Sequence, residues 1–311
     1  MAKQSTFARR LFRFIDIVFE NQQNPTARLN YDGVTFEKDI VYYDAAPDAC
    51  RLDIYYKDKP GKFPVYFYIH GGGFVAGDKK YRTAHSLWAA DMGFFVINVN
   101  YGLAPEYKFP EPLAQLIIAL NWASDNAEKY RLDLDNITLA GDSSGAYFAA
   151  ELAAATVAAE LSQNMGIPSP KVKIAACDLN CGPYDLETVF AKKVALDLGN
   201  KILKDFAGIT GAELKDYKLL KECAPINYVG ADYPPCFITH AKADFFCGGQ
   251  GEAFISKLKE NGVYFEEFST EKFADNHCFS LGWKTAAAVA RNTACEKFLR
   301  RVSAGEIKTR A

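Results

Sequence analysis

Gly141-Asp142-Ser143-Ser144-Gly145 sets a serine between two glycines in the pattern G-x-S-x-G. Ile137–Ala140 before it is a short apolar run, and Ser144–Gln163 after it is alanine-rich and of helical length. A strand, a sharp turn and a helix in that order hold a serine in strained backbone with its hydroxyl exposed, provided the flanks are small. The helix N-terminus aims N–H groups and a positive dipole end at developing negative charge. Ser143 is then the candidate nucleophile, and Ser144 contributes a backbone N–H. A tight glycine turn with a capping serine is the plainer alternative. His70-Gly71-Gly72-Gly73-Phe74 follows a second apolar run, Val65–Ile69. Three glycines after a strand let the backbone approach a ligand closely, so the N–H groups of Gly72 and Gly73 can face an oxyanion. A phosphate-binding loop would need a following Gly-Lys-Ser/Thr or G-x-G-x-x-G, and neither is present. His70 itself is expected to be structural.

The elements that must position these groups alternate along the chain. Phe36–Tyr43 and Cys50–Tyr56 alternate apolar and polar residues around the turn-rich Asp44–Ala49, which predicts an antiparallel pair. Val65–Ile69, Phe94–Val99, Ile137–Ala140, Val172–Ala176, Cys236–Thr239 and Val263–Phe268 are more continuously apolar, as strands covered on both faces are. Tyr81–Asp91, Pro112–Glu128, Ser144–Gln163, Gly251–Asn261 and Trp283–Arg300 have helical length and period between them. The alternation predicts an α/β sheet with right-handed crossovers. Two segments fall outside it. Phe7–Glu20 has apolar residues at 7, 11, 14, 15, 18 and 19, the spacing of an amphipathic helix. Gly182–Pro235 is far longer than an ordinary connection. Both are candidates to cover a site.

Composition restricts the partners. The 311 residues are 49% hydrophobic, with 36 Lys+Arg against 38 Asp+Glu and no long run of one charge, which argues against nucleic acid. Arg13 and Asp16 interrupt Leu11–Glu20, so no clean signal-peptide core is present, and no run of 18 apolar residues exists to cross a membrane. The expected compartment is the cytoplasm. The eight cysteines show no C-x-x-C pair, and reduced, mostly buried thiols are expected.

His70-Gly71-Gly72-Gly73 together with Gly141-Asp142-Ser143-Ser144-Gly145 resembles the hormone-sensitive-lipase-like branch of the α/β-hydrolase esterases. The likeness continues through Tyr101-Gly102-Leu103-Ala104-Pro105-Glu106, where that family reads Y-R-L-A-P-E, and on to the C-terminal histidine. The resemblance implies an α/β-hydrolase fold: a mostly parallel eight-stranded sheet flanked by helices, with a helical cap. It implies a catalytic body at 36–181 and 236–311 and a cap at 1–35 and 182–235. Its triad runs in the order Ser, Asp/Glu, His. His70 and His85 precede Ser143, and His240 precedes the acid at 244, so of the four histidines only His277 comes last in that order. His277-Cys278-Phe279 resembles the family's H-G-F with Cys278 in place of glycine, and Ala243-Asp244-Phe245 stands where the family reads D-P-L. Asp244 is the expected acid; Asp275 and Glu271 are rivals near His277.

The implied activity is hydrolysis of small, short-acyl esters through an acyl-enzyme. Ser143 attacks, His277 acts as base with a midpoint near 6.5 to 7, and Asp244 orients it, while Gly72, Gly73 and Ser144 hold the oxyanion. No metal or organic cofactor is expected, and a homodimer is implied. Acetyl or feruloyl esters from plant polysaccharide are an alternative substrate class. A non-catalytic small-molecule binder of the same fold is the alternative of another class. Phe7, Phe12, Phe14 and Phe19 are expected chiefly to fasten the cap to the body, with the lining of an acyl or alcohol pocket as the alternative.

Overall fold

The computed structural model describes residues 6–23, 32–191 and 195–309. Eight strands form one sheet: β1 (Val34–Val41), β2 (Arg51–Lys57), β3 (Phe63–Ile69), β4 (Phe95–Val99), β5 (Leu132–Asp142), β6 (Ala176–Asn180), β7 (Cys236–Ala241) and β8 (Phe265–Thr270). Their spatial order is β1-β2-β4-β3-β5-β6-β7-β8. The first two junctions are antiparallel and the remaining five are parallel. The helices are α1 (Phe7–Gln23), α2 (Thr83–Asp91), α3 (Glu111–Asp125), α4 (Ala127–Tyr130), α5 (Ser144–Val157), α6 (Ala159–Met165), α7 (Leu186–Ala191), α8 (Leu198–Ala207), α9 (Gln250–Glu260) and α10 (Ala286–Ser303). Strands β3 and β4 are almost wholly buried, as a central sheet covered on both faces requires.

Three expected elements move. The run Ser144–Gln163 breaks at Ala158, whose non-helical backbone separates α5 from α6. The run Pro112–Glu128 ends at Asp125, and α4 follows as its own turn. The strand expected at Val172–Ala176 begins where that expectation ended, at Ala176. Its polar residues Asp178 and Asn180 have the look of a loop in sequence, yet both are buried and hold partners from other layers. Tyr66 Oη donates to Asp178 at 2.7 Å, Arg291 of α10 pairs with the same carboxylate, and Asn180 donates to Ser280 Oγ at 2.8 Å. A buried charge is tolerated in a sheet when its partner comes from another layer.

Helix α1 forms, but it does not dock by the stripe its apolar spacing suggests. Ala8, Arg9, Phe12 and Asp16 are buried, while Phe14 is 63% and Ile17 65% exposed and Val18 also faces outward. Arg9 explains the rotation. Its Nε donates to Val75 O at 3.0 Å and its guanidinium pairs with Glu106, the last residue of Tyr101–Glu106. Asp16 lies beside the buried Arg82. Polar anchors spaced along one face outweigh a few half-buried side chains on another. Of the four phenylalanines expected to fasten this segment, Phe12 does so and Phe14 does not; Phe7 is exposed, with Lys201 of α8 over its ring, and the side chain of Phe19 lies outside the described residues.

Candidate active site

The site is built on the strand-to-helix turn between β5 and α5. Ser143 has φ +54° and ψ −124°, a conformation that L-residues adopt only under constraint. The constraint comes from packing. A Cβ placed on Gly145 would lie 2.1 Å from Ile69 O, so α5 can pass this close to β3 only with glycine there. On the other side, Ser143 N donates to Asn180 O at 2.8 Å, which fixes the turn to β6.

His277 and Asp244 arrive from the loops after β8 and β7. His277 Nε2 stands 2.9 Å from Ser143 Oγ, and His277 Nδ1 stands 2.8 Å from Asp244 Oδ2. The second oxygen of Asp244 accepts the N–H groups of Phe246 and Cys247, each at 2.8 Å. Asn276 ties the two loops together, donating to Ala243 O at 2.6 Å and accepting His277 N at 2.7 Å. The rival acids are elsewhere: Asp275 accepts from Thr270 Oγ1 at 3.0 Å, and Glu271 pairs with Lys242. His240 bonds Glu267 at 2.9 Å, and His70 is buried with its ring stacked on Tyr101 at 4.7 Å. Thus the three residues named as a triad meet, and the other histidines do not join them.

Electrostatics follow from this geometry. Burial disfavours the charged form of His277, but the Asp244 charge and hydrogen bond overcome it and lift the pKa to about 9. Asp244 is held below the usual carboxylate range: its own burial opposes this, and His277 and the two N–H donors prevail. The ordinary histidine midpoint expected from sequence is therefore displaced upward.

Gly72, Gly73 and Ser144 border the same space as Ser143. Gly72 has φ +138°, and a Cβ there would lie 2.1 Å from Ala76 O, so the loop that turns this backbone toward the site requires glycine. Ser144 opens α5, where the first N–H groups have no partner within the helix. Gly71 plays a different part, since its N–H is engaged by Asp142 Oδ2 at 3.2 Å. Asp142, the variable position of the serine motif, also accepts Arg82 Nε at 2.6 Å, Arg82 Nη2 at 2.7 Å and Tyr68 Oη at 3.0 Å. Asp142, Arg82 and Tyr68 are all buried. Asp142 thereby couples the serine turn to the glycine loop. The motif singles out Asp142 but not Arg82, since nothing local marks a partner 60 residues away. Arg82→Ala would leave a buried carboxylate unpaired and is expected to cost about 3–5 kcal/mol. Urea unfolding checks this, and a loss below about 1 kcal/mol would contradict the pair's structural role.

Ser143 opens on two cavities. One is small, about 60 Å³, and almost wholly apolar, lined among others by Phe74, Phe190, Leu198 and Ile202. The other is about 400 Å³ and includes Asp16, Arg82, Asp275 and Asn276 as well as Phe245 and Phe279. Phe12 of α1 and Phe246 line both and stand between them, their ring centroids 5.9 Å apart. Such an arrangement can carry out acyl transfer: a nucleophile with its base, an oriented acid, N–H groups at a helix start, and room on either side of the serine.

Known proteins resemble this chain in sequence and in fold. The BD-FAE family model matches residues 52–258, about two thirds of the chain. The chain is 27% identical to the esterase LipQ of Mycobacterium tuberculosis over 71% of this chain and 52% of that protein. It is 28% identical to an acetyl esterase of Salmonella schwarzengrund over 61% of this chain and 58% of that one. It thus spans a little over half the length of these curated relatives. Among solved structures, esterase B of Lactobacillus rhamnosis superposes with a TM-score of 0.82 at 20% identity, covering 96% of this chain and 95% of that one. A bacterial heroin esterase gives 0.76 at 22%, covering 98% and 93%. The expected fold is borne out, and the chain belongs to the BD-FAE family of α/β-hydrolases.

Proposed function

We propose that this protein is a carboxylic ester hydrolase acting on small esters of short-chain acids. The carrying observation is the hydrogen-bonded series Ser143–His277–Asp244, at 2.9 and 2.8 Å, opening on two cavities of unequal size. Ser143 attacks the ester carbonyl while His277 takes its proton, then returns it to the departing alcohol. Asp244 keeps the imidazole proton on Nδ1. The N–H groups of Gly72, Gly73 and Ser144 receive the oxyanion. Water, activated by the same histidine, releases the acid. In this reading α1 and the segment 182–235 form the cap, since Phe12 and the α7–α8 residues Phe190, Leu198 and Ile202 supply walls of the cavities.

The small apolar cavity suits the acyl chain and the larger one the alcohol. Hydrolysis of p-nitrophenyl esters is therefore expected to peak at acetyl to butyryl and to fall at least about tenfold by octanoyl, because a filled pocket gains nothing from further methylenes and must distort to admit them. A rate that climbs through dodecanoyl would overturn the assignment of cavities. The larger cavity also carries Asp16, Asp275 and Asn276, which favours a hydroxylated alcohol such as an acetylated sugar. Comparing acetylated xylose with simple alkyl acetates decides that point. No described helix is long and apolar enough to cross a membrane. A cytoplasmic location and a homodimer belong to this reading, and cell fractionation and sedimentation of the full chain test them.

A further inference from the structure

Two thiols flank the histidine of the site, and the mechanism uses neither. Cys181 follows β6 directly, and Cys278 follows His277. Their Sγ atoms and a ring nitrogen of His277 all lie within 4.8 Å of one another. Both cysteines have φ +52°, in the region where glycine is at ease and a cysteine is strained. Cys278 Sγ makes a long contact, 3.9 Å, with Asn180 O and also meets the Cys181 thiol. Both are nearly buried among Leu281 and each other, yet Cys278 and His277 also border the larger cavity, so a small cation reaches them by the route a substrate takes.

We propose that Cys181, His277 and Cys278 form a binding site for a soft divalent cation, of the zinc or cadmium class, whose occupancy shuts off the active site. Two thiols and an imidazole within a few ångströms are the donors such ions prefer over oxygen. Each thiol gives up its proton on binding, and the imidazolium that prevails at neutral pH gives up one as well, so two thiolates balance the charge of the cation and up to three protons leave to solvent. The imidazole contributes a lone pair, and the open cavity leaves a fourth position for water. Both ring nitrogens of His277 are engaged, Nε2 by Ser143 and Nδ1 by Asp244. Whichever one takes the cation loses its present partner, and either loss disarms the triad. The binding itself does not depend on the esterase reading; only its consequence for activity does.

The competing set is Asp244, Cys247 and His277, which also lie close together but offer one thiol and a carboxylate. The test uses the full chain with Cd²⁺ and Zn²⁺ in chelator-free buffer. Cd²⁺ is expected to give the ultraviolet charge-transfer absorption of two thiolates, saturating at one ion per chain. Zn²⁺ is expected to lower hydrolysis of p-nitrophenyl acetate at least about tenfold, with full recovery on adding EDTA. Cys278→Gly suits the backbone at that position, and Cys181→Ala removes the other thiol. Measured against its own metal-free rate, each is expected to raise the inhibitory Zn²⁺ concentration at least about tenfold and to lose the two-thiolate band. Cys247→Ala is expected to leave both readouts unchanged. Wild-type sensitivity in Cys181→Ala or Cys278→Gly overturns the proposal, as does its loss in Cys247→Ala alone. Recovery by dithiothreitol but not EDTA would mean a disulfide and overturn it as well. A chain that shows the two-thiolate band but hydrolyses no ester would refute the esterase reading and leave the cation site standing.

Discussion

Ser143→Ala is expected to lower kcat on p-nitrophenyl acetate by at least about 10⁴-fold, because the substitution deletes the hydroxyl placed to form the acyl bond. Ser143 Oγ lies 2.9 Å from His277 Nε2, and no other described hydroxyl stands at hydrogen-bond distance from that nitrogen. The variant should fold. Alanine at φ +54° is no more strained than serine there, and the turn is held by the Ser143 backbone N–H on Asn180 and by the packing of Gly145 on β3. Circular dichroism and the denaturation midpoint should match the parent. A fluorophosphonate probe should label the parent at Ser143 and leave the variant unlabelled. Retention of more than a few per cent of the hydrolysis would remove Ser143 from the mechanism. A parent that takes up no probe and hydrolyses no ester would instead favour the alternative in which the fold only binds small molecules.

The second large effect concerns Asp244 and is read through pH. A histidine must be neutral to accept the serine proton. With its pKa lifted to about 9, His277 is mostly charged at neutral pH, so the hydrolysis rate should climb from pH 7 and reach half its maximum near pH 9. The same shift bears on stability. A folded-state pKa above the unfolded value contributes stability that is complete below about pH 6.5 and disappears as pH rises through about 9. Asp244→Asn removes the charge that overcomes burial, so the rate midpoint should fall well below that of the parent. It should also lower kcat by about 10⁴-fold, as the loss of this carboxylate does in triads generally. The geometry gives the reason. The N–H groups of Phe246 and Cys247 hold Oδ1 at 2.8 Å each, so an asparagine would keep its oxygen there and turn its NH₂ toward His277 Nδ1. The imidazole would then carry its proton on Nε2, facing Ser143, where a lone pair is required. A pH profile that is flat from 7 to 10 in the parent, or a midpoint unmoved in the variant, would contradict this account.

Much of the site is legible in the sequence because local chemistry imposes local sequence. A serine on a strained turn needs small neighbours, and Gly141 and Gly145 supply them on either side. A loop that directs N–H groups inward needs residues without side chains, and Gly72 and Gly73 are in place. Asp244 is harder to read, since the loop carrying it has phenylalanines where the resembling family has proline and leucine. Its position shows that two backbone donors and Asn276 can aim a carboxylate without that proline. The partners of buried charges are not legible at all. Arg82, Arg9 and Asp16 are ordinary surface residue types in sequence, and their roles depend on contacts across the sheet. The docking face of α1 differs from the expected one for the same reason: a period of 3.6 locates an apolar stripe, but ion pairs decide which face docks.

By itself the sequence determined the order of strands and helices, the serine turn, the glycine loop and the candidate base, because each rests on residues adjacent in the chain. Only the tertiary structure decided which acid reaches His277, how strongly that acid raises its pKa, and how the space around Ser143 is divided. It also brought Cys181 to within reach of Cys278, nearly a hundred residues apart along the chain. Those properties depend on distance and burial between distant segments, and a linear pattern carries no information about either until the sheet brings its loops to one edge.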